Sequence, residues 1–211
     1  MLKNQTEILE QAFNYFSKEK FNGSMNDENT IITIQSRGKA NCYGWCTVET
    51  AWYKGKLENS DESEIQYHEI NISAEYLNRT FYNTMETLLH EMVHLDNIFN
   101  GINDCSKKQF HNEKFKDRAE SIGLLVEKVK QYGYATTTLS EELKESIDKF
   151  ILDNNINVKI FDTARKDKII KKVNRNNKKI KMICNGCKNV VSCDDEINIT
   201  CKDCGIEFVK K

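Results

Sequence analysis

Proline is absent from the whole 211-residue chain, and histidine and tryptophan are sparse, at four and two residues. With no pyrrolidine ring to preset a turn or stop a helix, element boundaries must be read from glycine and from Asn, Asp and Ser clusters. The abundance of Asn, Lys and Ile fits the bias of an AT-rich genome better than a structural device. Long apolar runs are missing too. The opening MLKNQTEILEQAFNYF has neither an uninterrupted hydrophobic stretch nor a small-residue cleavage pattern, and nothing downstream is long or apolar enough to span a bilayer. The expectation is a cytoplasmic, monomeric protein, in reach of the nucleoid and without membrane contact. There, eight cysteines are expected to be reduced, metal-bound or buried rather than paired as disulfides.

An overall excess of charge is also lacking, since 31 basic residues face 32 acidic ones, but the two signs are segregated. Up to residue 154 there are 17 basic and 25 acidic side chains; beyond it there are 14 basic and 7 acidic. The two parts therefore carry net charges of −8 and +7. Opposed halves point to a polyanionic partner for the C-terminal part, with nucleic acid favoured over a contact between the halves.

Ile8, Leu9, Ala12, Phe13 and Phe16 recur at helical spacing, which predicts an amphipathic helix over residues 5 to 20. Residues 31 to 36, 43 to 53 and 65 to 72 are rich in β-branched and aromatic side chains and are separated by turn-forming residues, so they read as three strands of a small antiparallel-type sheet. A longer pattern from Thr84 to Asn100 places Met85, Leu88, Met92, Leu95 and Phe99 on one stripe of a central helix, which Gly101 and a polar loop end. Another helix follows His111, and Ser140 before Glu141 and Glu142 opens a further short one. The class is α+β, with domains expected at 1–125 and 182–211 and a helical, basic connector over 126–181. Those lengths allow one medium core and a small appendage.

The central helix carries His90-Glu91-Met92-Val93-His94, an H-E-x-x-H pattern. Spacing of four residues puts both imidazoles on one helix face, where they can share a metal ion, while the apolar stripe through Leu88 and Met92 faces the other way. A catalytic zinc takes three protein ligands and keeps one position for water, so one ligand lies outside the motif. His111 can reach it from the loop after Gly101. His68 competes from a strand, and Glu113, Asp117 or Glu120 can supply a carboxylate instead. Bound zinc lowers the pKa of its water toward ~7 and polarises a carbonyl. Glu91, beside the ligand face, is placed to take the proton and pass it to a leaving amine.

Cys184-x-x-Cys187 and Cys201-x-x-Cys204 form two hooks separated by thirteen residues, the pattern of four thiolates around one structural zinc. A tail of this size buries too little apolar surface to fold alone, and metal binding supplies on the order of 10 kcal/mol. Cys193 reads as a spectator; Cys42, Cys46 and Cys105 read as small packing residues rather than ligands. Ahead of the hooks, Arg165 to Lys181 holds nine basic residues and one acid. Lys171, Lys172, Arg175, Lys178, Lys179 and Lys181 form an arm suited to phosphate contacts, with DNA the expected partner.

Taken in order, a helix, a small sheet with HEINIS, then TLLHEMVHLDN and FHNEKF, the chain resembles the SprT-like metalloprotease family over roughly residues 5 to 125. That family includes the Spartan proteases, which digest proteins cross-linked to DNA. The resemblance implies a zincin-like fold, a catalytic zinc held by His90, His94 and His111, and Glu91 as general base. It lacks the glycine and third histidine of the metzincin pattern and the long partner-binding extension of Spartan. The resulting expectation is a zinc endopeptidase with protein substrates, one catalytic and one structural zinc, and recruitment to DNA-bound or cross-linked proteins. Two other readings stand beside it: a protease of the same fold that acts without DNA, and a nucleic-acid-binding regulator whose domain has lost turnover.

Overall fold

A computed structural model describes residues 2–26, 28–36, 42–54, 65–106, 108–166, 179–194 and 197–211. The chain divides into two compact units, Met1–Asp167 and Lys168–Lys211. Lys171, Lys172, Arg175 and Lys178 of the basic arm fall outside the described residues.

The first unit is a mixed α+β body. Helix α1 (Leu2–Phe21) forms where Leu9, Ala12, Phe13 and Phe16 return at three- and four-residue intervals, and all four are buried. It packs on the central helix α2 (Phe81–Phe99), capped by the Thr80 hydroxyl, which accepts from the Asn83 N–H at 3.2 Å. Met85, Leu88, Leu89, Met92, Val93 and Leu95 of α2 are completely buried, each large side chain stabilising the fold by roughly 2 kcal/mol. Phe99, at the far end of the expected stripe, is partly exposed and meets the His68 ring edge-on at 5.3 Å.

Four strands, rather than three, make the sheet: β1 (Thr30–Gln35), β2 (Gly44–Cys46), β3 (Trp52–Lys54) and β4 (Ile65–Ser73). The expected single strand over 43 to 53 is broken between Cys46 and Trp52. Its two halves pair successive stretches of β4, and Thr47 N–H and Ala51 N–H still reach Glu69 O and Tyr67 O at 2.9 and 2.8 Å. The expected antiparallel sheet is also corrected, because β1 and β4 are parallel, Ile32 opposite Ile70 and Ile34 opposite Ile72. The topology requires it: β2 and β3 run back along one edge, so β4 returns between them and β1 in the direction of β1. Ile32, Ile70 and Ile72 are buried in the same core as the helices.

The first part of the expected connector over 126–181 lies within the first compact unit, Met1–Asp167. After α3 (Glu113–Ser121), strands β5 (Leu124–Val129) and β6 (Gly133–Leu139) form an antiparallel hairpin that touches α2 and α3. Helix α4 (Glu141–Asp153) starts on the Ser140 hydroxyl, which accepts from Leu143 N–H at 3.2 Å. Its buried Leu143, Ile147 and Phe150 give it an apolar face, and Phe150 meets the Tyr15 and Phe16 rings of α1 at 5.3 and 6.0 Å. An amphipathic helix with such a face gains by lying on a core rather than crossing solvent.

The second unit is a three-stranded antiparallel sheet, β7 (Ile180–Cys184) between β8 (Val190–Cys193) and β9 (Phe208–Lys210). Its two hooks repeat one backbone pattern. Lys188 N–H bonds Cys184 O at 2.9 Å and Gly205 N–H bonds Cys201 O at 2.8 Å, so each pair of cysteines is bent around its own tight turn. No helix among the described residues is long and apolar enough to cross a membrane.

Candidate functional site

The core pins one side of α2, and on its other side His90 and His94 project one turn apart toward His111. Their Nε2 atoms lie 3.3 and 3.0 Å from His111 Nε2, and all three ligand atoms are within 4.8 Å of one another. His111 is brought there by a chain reversal. Asn112 N–H bonds Asp104 O at 3.0 Å, the Asn112 carboxamide oxygen caps α3 at Lys114 N–H, 2.8 Å away, and Cys105 bridges to His111. The hairpin holds it from the other side, with His111 N–H bonded to Tyr132 O at 2.9 Å and Tyr134 N–H to His111 O at 3.1 Å. Phe115 forms the floor, its ring 4.7, 4.6 and 4.7 Å from the rings of His90, His94 and His111.

The other ring nitrogens are also engaged. His90 Nδ1 is 3.2 Å from Thr137 Oγ1, whose hydroxyl lies 3.5 Å from Glu86 Oε1. His94 Nδ1 is 2.9 Å from Asp104 Oδ2, and His111 Nδ1 is 3.3 Å from Tyr132 O. A carboxylate and a carbonyl can only accept, so His94 and His111 donate from Nδ1 and turn their Nε2 lone pairs inward. Lone pairs facing each other at 3.0 Å repel unless a cation lies between them. Tetrahedral zinc with Zn–N near ~2.05 Å has ligand nitrogens about 3.3 Å apart, so the observed spacings fit such an ion. Outer partners of this kind are what metal-binding imidazoles need to fix ring orientation.

Electrostatics separate the three rings. Burial pushes His90 well below the ordinary imidazole range, helped by the neighbouring His94 and His111. Burial and His94 likewise lower His111, to about 4. Burial also pulls on His94, but the hydrogen bond to Asp104 and the charges of Glu91 and Asp104 outweigh it and raise its pKa. Two of the three ligands are thus already neutral at pH 7, the form a metal requires.

Glu91 is buried beside this trio, on the side of α2 that faces edge strand β2. A Cβ on Gly44 would stand 2.7 Å from Thr87 Cγ2 and 3.3 Å from Glu91 Cγ, so glycine lets the strand close onto the helix at the glutamate. The competing ligands do not join. His68 Nδ1 is 3.1 Å from Thr47 O and its ring packs on Phe99, and Glu113, Asp117 and Glu120 belong to no ligand cluster among the described residues. Cys42, Cys46 and Cys105 are outside both clusters as well. Sequence reasoning missed Asp104, Thr137, Tyr132 and Phe115, whose roles depend on the loop reversal and the hairpin rather than on any local spacing.

In the second unit the Sγ atoms of Cys184, Cys187, Cys201 and Cys204 lie within 4.8 Å of one another, with Cys187 and Cys201 at 3.6 Å. Tetrahedral zinc with Zn–S near ~2.3 Å has sulfurs about 3.8 Å apart, so these thiols fit the ion too. The Cys187 backbone N–H hydrogen-bonds the Cys184 sulfur and draws its pKa down to about 7, which favours the thiolate. Cys193 instead donates to Ile180 O at 3.5 Å. Lys179 and Lys181 line a shallow groove with Ile180, Lys210 and Lys211 at the opposite end of β7 from Cys184.

These features define a mixed α+β protein with two candidate metal centres: a three-histidine one, with His90 and His94 on a helix beside Glu91 and His111 on a loop, and a four-cysteine one. The SprT-like family model matches residues 9–138, and the chain belongs to that family, which points to a metalloprotease-type function. That span takes in α1 from Leu9 onward, the sheet, all three histidines of the cluster and the hairpin through Thr138. Comparison with curated proteins and with solved structures gives no match.

Proposed function

We propose that the chain is a zinc-dependent endopeptidase with a zincin-like catalytic domain, brought to DNA by its basic arm and zinc ribbon to cut proteins bound or cross-linked there. The observation that carries this reading is the convergence of three imidazole Nε2 atoms beside Glu91. His90, His94 and His111 would hold the catalytic ion, and Cys184, Cys187, Cys201 and Cys204 a structural one. When bound, zinc polarises a carbonyl and makes hydroxide available near neutral pH.

The chain's own residues do the rest. Glu91, one position beyond the first ligand, takes a proton from the attacking water and hands it to the departing amine. Its burial strengthens that exchange by excluding bulk solvent. Thr137, Asp104 and Tyr132 hold the ring planes. Edge strand β2, closed against α2 at Gly44, bounds the space beside Glu91. Support for DNA as partner comes from the segregated charge and from the lysines around the groove at Lys179, Lys181, Lys210 and Lys211.

The test is proteolysis of a DNA-binding protein by wild type and Glu91→Gln at matched zinc content, with and without single-stranded DNA. Cleavage by wild type alone and only with DNA is expected. Equal turnover by the variant would remove Glu91 from its role, and cleavage indifferent to DNA would remove the recruitment.

A further inference from the structure

Arg79 lies between β4 and α2, partly buried, and three contacts fix it. Its Nε donates to Tyr76 O at 3.2 Å, its Nη2 donates to Thr87 Oγ1 at 2.7 Å, and its guanidinium carbon stands 4.1 Å from the centroid of the Tyr43 ring. Tyr43 in turn meets Tyr76 edge-on at 4.9 Å. A long side chain that is ordinarily mobile is here held in one orientation.

None of those contacts neutralises it. Among the described residues no carboxylate lies within ion-pair distance of Arg79, although Arg118 and Lys144 each have one at 2.6 Å. Its Nη1 makes no hydrogen bond to a described residue. Burial works against the charge, and Tyr43 and Glu86 offset part of that cost. Arginine does not deprotonate in proteins, so the site keeps a fixed, half-desolvated cation that an anion would stabilise.

Its location connects it to the centre. Thr87, which holds Nη2, is one turn before Glu91 on the same side of α2, and both side chains converge on Gly44. One turn is about 5.4 Å along the axis, and extended peptide advances about 3.3 Å per residue. The guanidinium therefore stands roughly two residues of extended chain from Glu91. A single fork suits a single carboxylate, which it can grip in bidentate fashion. A nucleic-acid phosphate chain fits less well, because the part of the chain up to residue 154 has a net charge of −8.

We propose that Arg79 forms an anion subsite of this centre, selecting peptides that carry Asp or Glu about two residues from the scissile bond. This rests on the peptidase reading. It is a specificity-determining role, so it should be read in KM more than in kcat.

The experiment uses zinc-loaded full-length protein and a set of peptides with Asp, Glu, Gln or Lys at each position within three residues of the cleaved bond. Wild type is expected to favour Asp or Glu over Lys at one position by roughly tenfold in kcat/KM. Arg79→Gln should erase that ratio, Arg79→Glu should invert it and Arg79→Lys should keep part of it. Each ratio is measured within one variant, so a general loss of activity does not imitate the effect. A flat wild-type profile, or a preference that survives in Arg79→Gln, overturns the subsite while leaving the peptidase standing. Cleavage of no protein or peptide overturns both. Weaker binding of single-stranded DNA by Arg79→Gln with an unchanged peptide preference overturns the subsite in favour of a phosphate contact.

Discussion

His94 donates from Nδ1 to Asp104 across 2.9 Å, and the same carboxylate oxygen accepts from Asn97 at 2.8 Å. Asp104 is nearly fully buried, so its charge is spent on these two donors and on the field at the histidines. Losing it frees the His94 ring to turn and makes its Nε2 a poorer donor to an ion. Asp104→Ala is expected to weaken zinc binding by roughly 10- to 100-fold, measured by competition with a chelator of known affinity. Unchanged affinity would mean that α2 alone orients the ring.

Gly133 provides a second lever on the same centre. It sits at φ +67°, where L side chains are strained, and a Cβ there would stand 2.1 Å from His111 O. That contact cannot be relieved by a rotamer change, since the obstacle is backbone. Gly133→Ala should therefore push the hairpin off His111 and destabilise the first unit by roughly 2–4 kcal/mol, with zinc affinity falling alongside. Denaturant unfolding and the chelator titration together check this; a stable variant with full affinity would show that the hairpin does not set the position of His111.

The contrast between these residues and the H-E-x-x-H motif shows what was legible beforehand. His90, Glu91 and His94 could be placed because helix geometry alone fixes residues four apart, and the two cysteine hooks because each closes over three bonds of local chain. His111 came from the family resemblance, since no local rule joins a loop histidine to a helix twenty residues earlier. Thr137 and Tyr132 were out of reach because their hairpin was not recognised. The stretch LLVEKV followed by GYATTTL does carry β-branched residues around a Tyr-Gly turn, but Leu125 is exposed and the alternation is weak. The parallel β1–β4 pairing was equally hidden, because strand direction follows from the order in which strands enter the sheet and not from the residues inside them.

Without metal, the three imidazoles should make stability depend on pH. Unfolded histidines take up protons near ~6.5. Folded His111 does so only at about 4 and His90 is shifted in the same direction, so between those values the unfolded chain binds more protons and stability falls as pH drops. His94 acts above that window: its raised pKa adds stability as pH falls toward ~6.5 and nothing further below it, so His90 and His111 set the slope between ~6.5 and 4. The melting temperature of chelator-treated protein is expected to decline from pH 6.5 toward 4, and less steeply in His111→Gln. A profile that rises over that window would contradict the assignment of neutral His90 and His111.

The proposed ribbon should respond to its own metal separately from the first unit, since among the described residues of the second unit only Met182, Cys184 and Cys201 are buried. With so little core, its stability is expected to come from the four thiolates and an ion bound by them. Cys201→Ser is expected to lower the zinc content by one ion per chain, to abolish the ribbon's slow amide exchange and to leave the melting of the first unit unchanged. The groove lined by Lys179, Lys181, Lys210 and Lys211 depends on β7 and β9 staying paired, so the same variant should also weaken DNA binding. Replacing Lys210 and Lys211 by Gln tests the contact without touching the metal. Each lysine that meets a phosphate adds about 0.7–0.9 to the slope of log affinity against log salt concentration, so the double variant should flatten that slope by roughly 1.5. An unaltered slope would assign DNA binding to the arm alone, whereas a loss equal to that of Cys201→Ser would place the contact on the ribbon's lysine end.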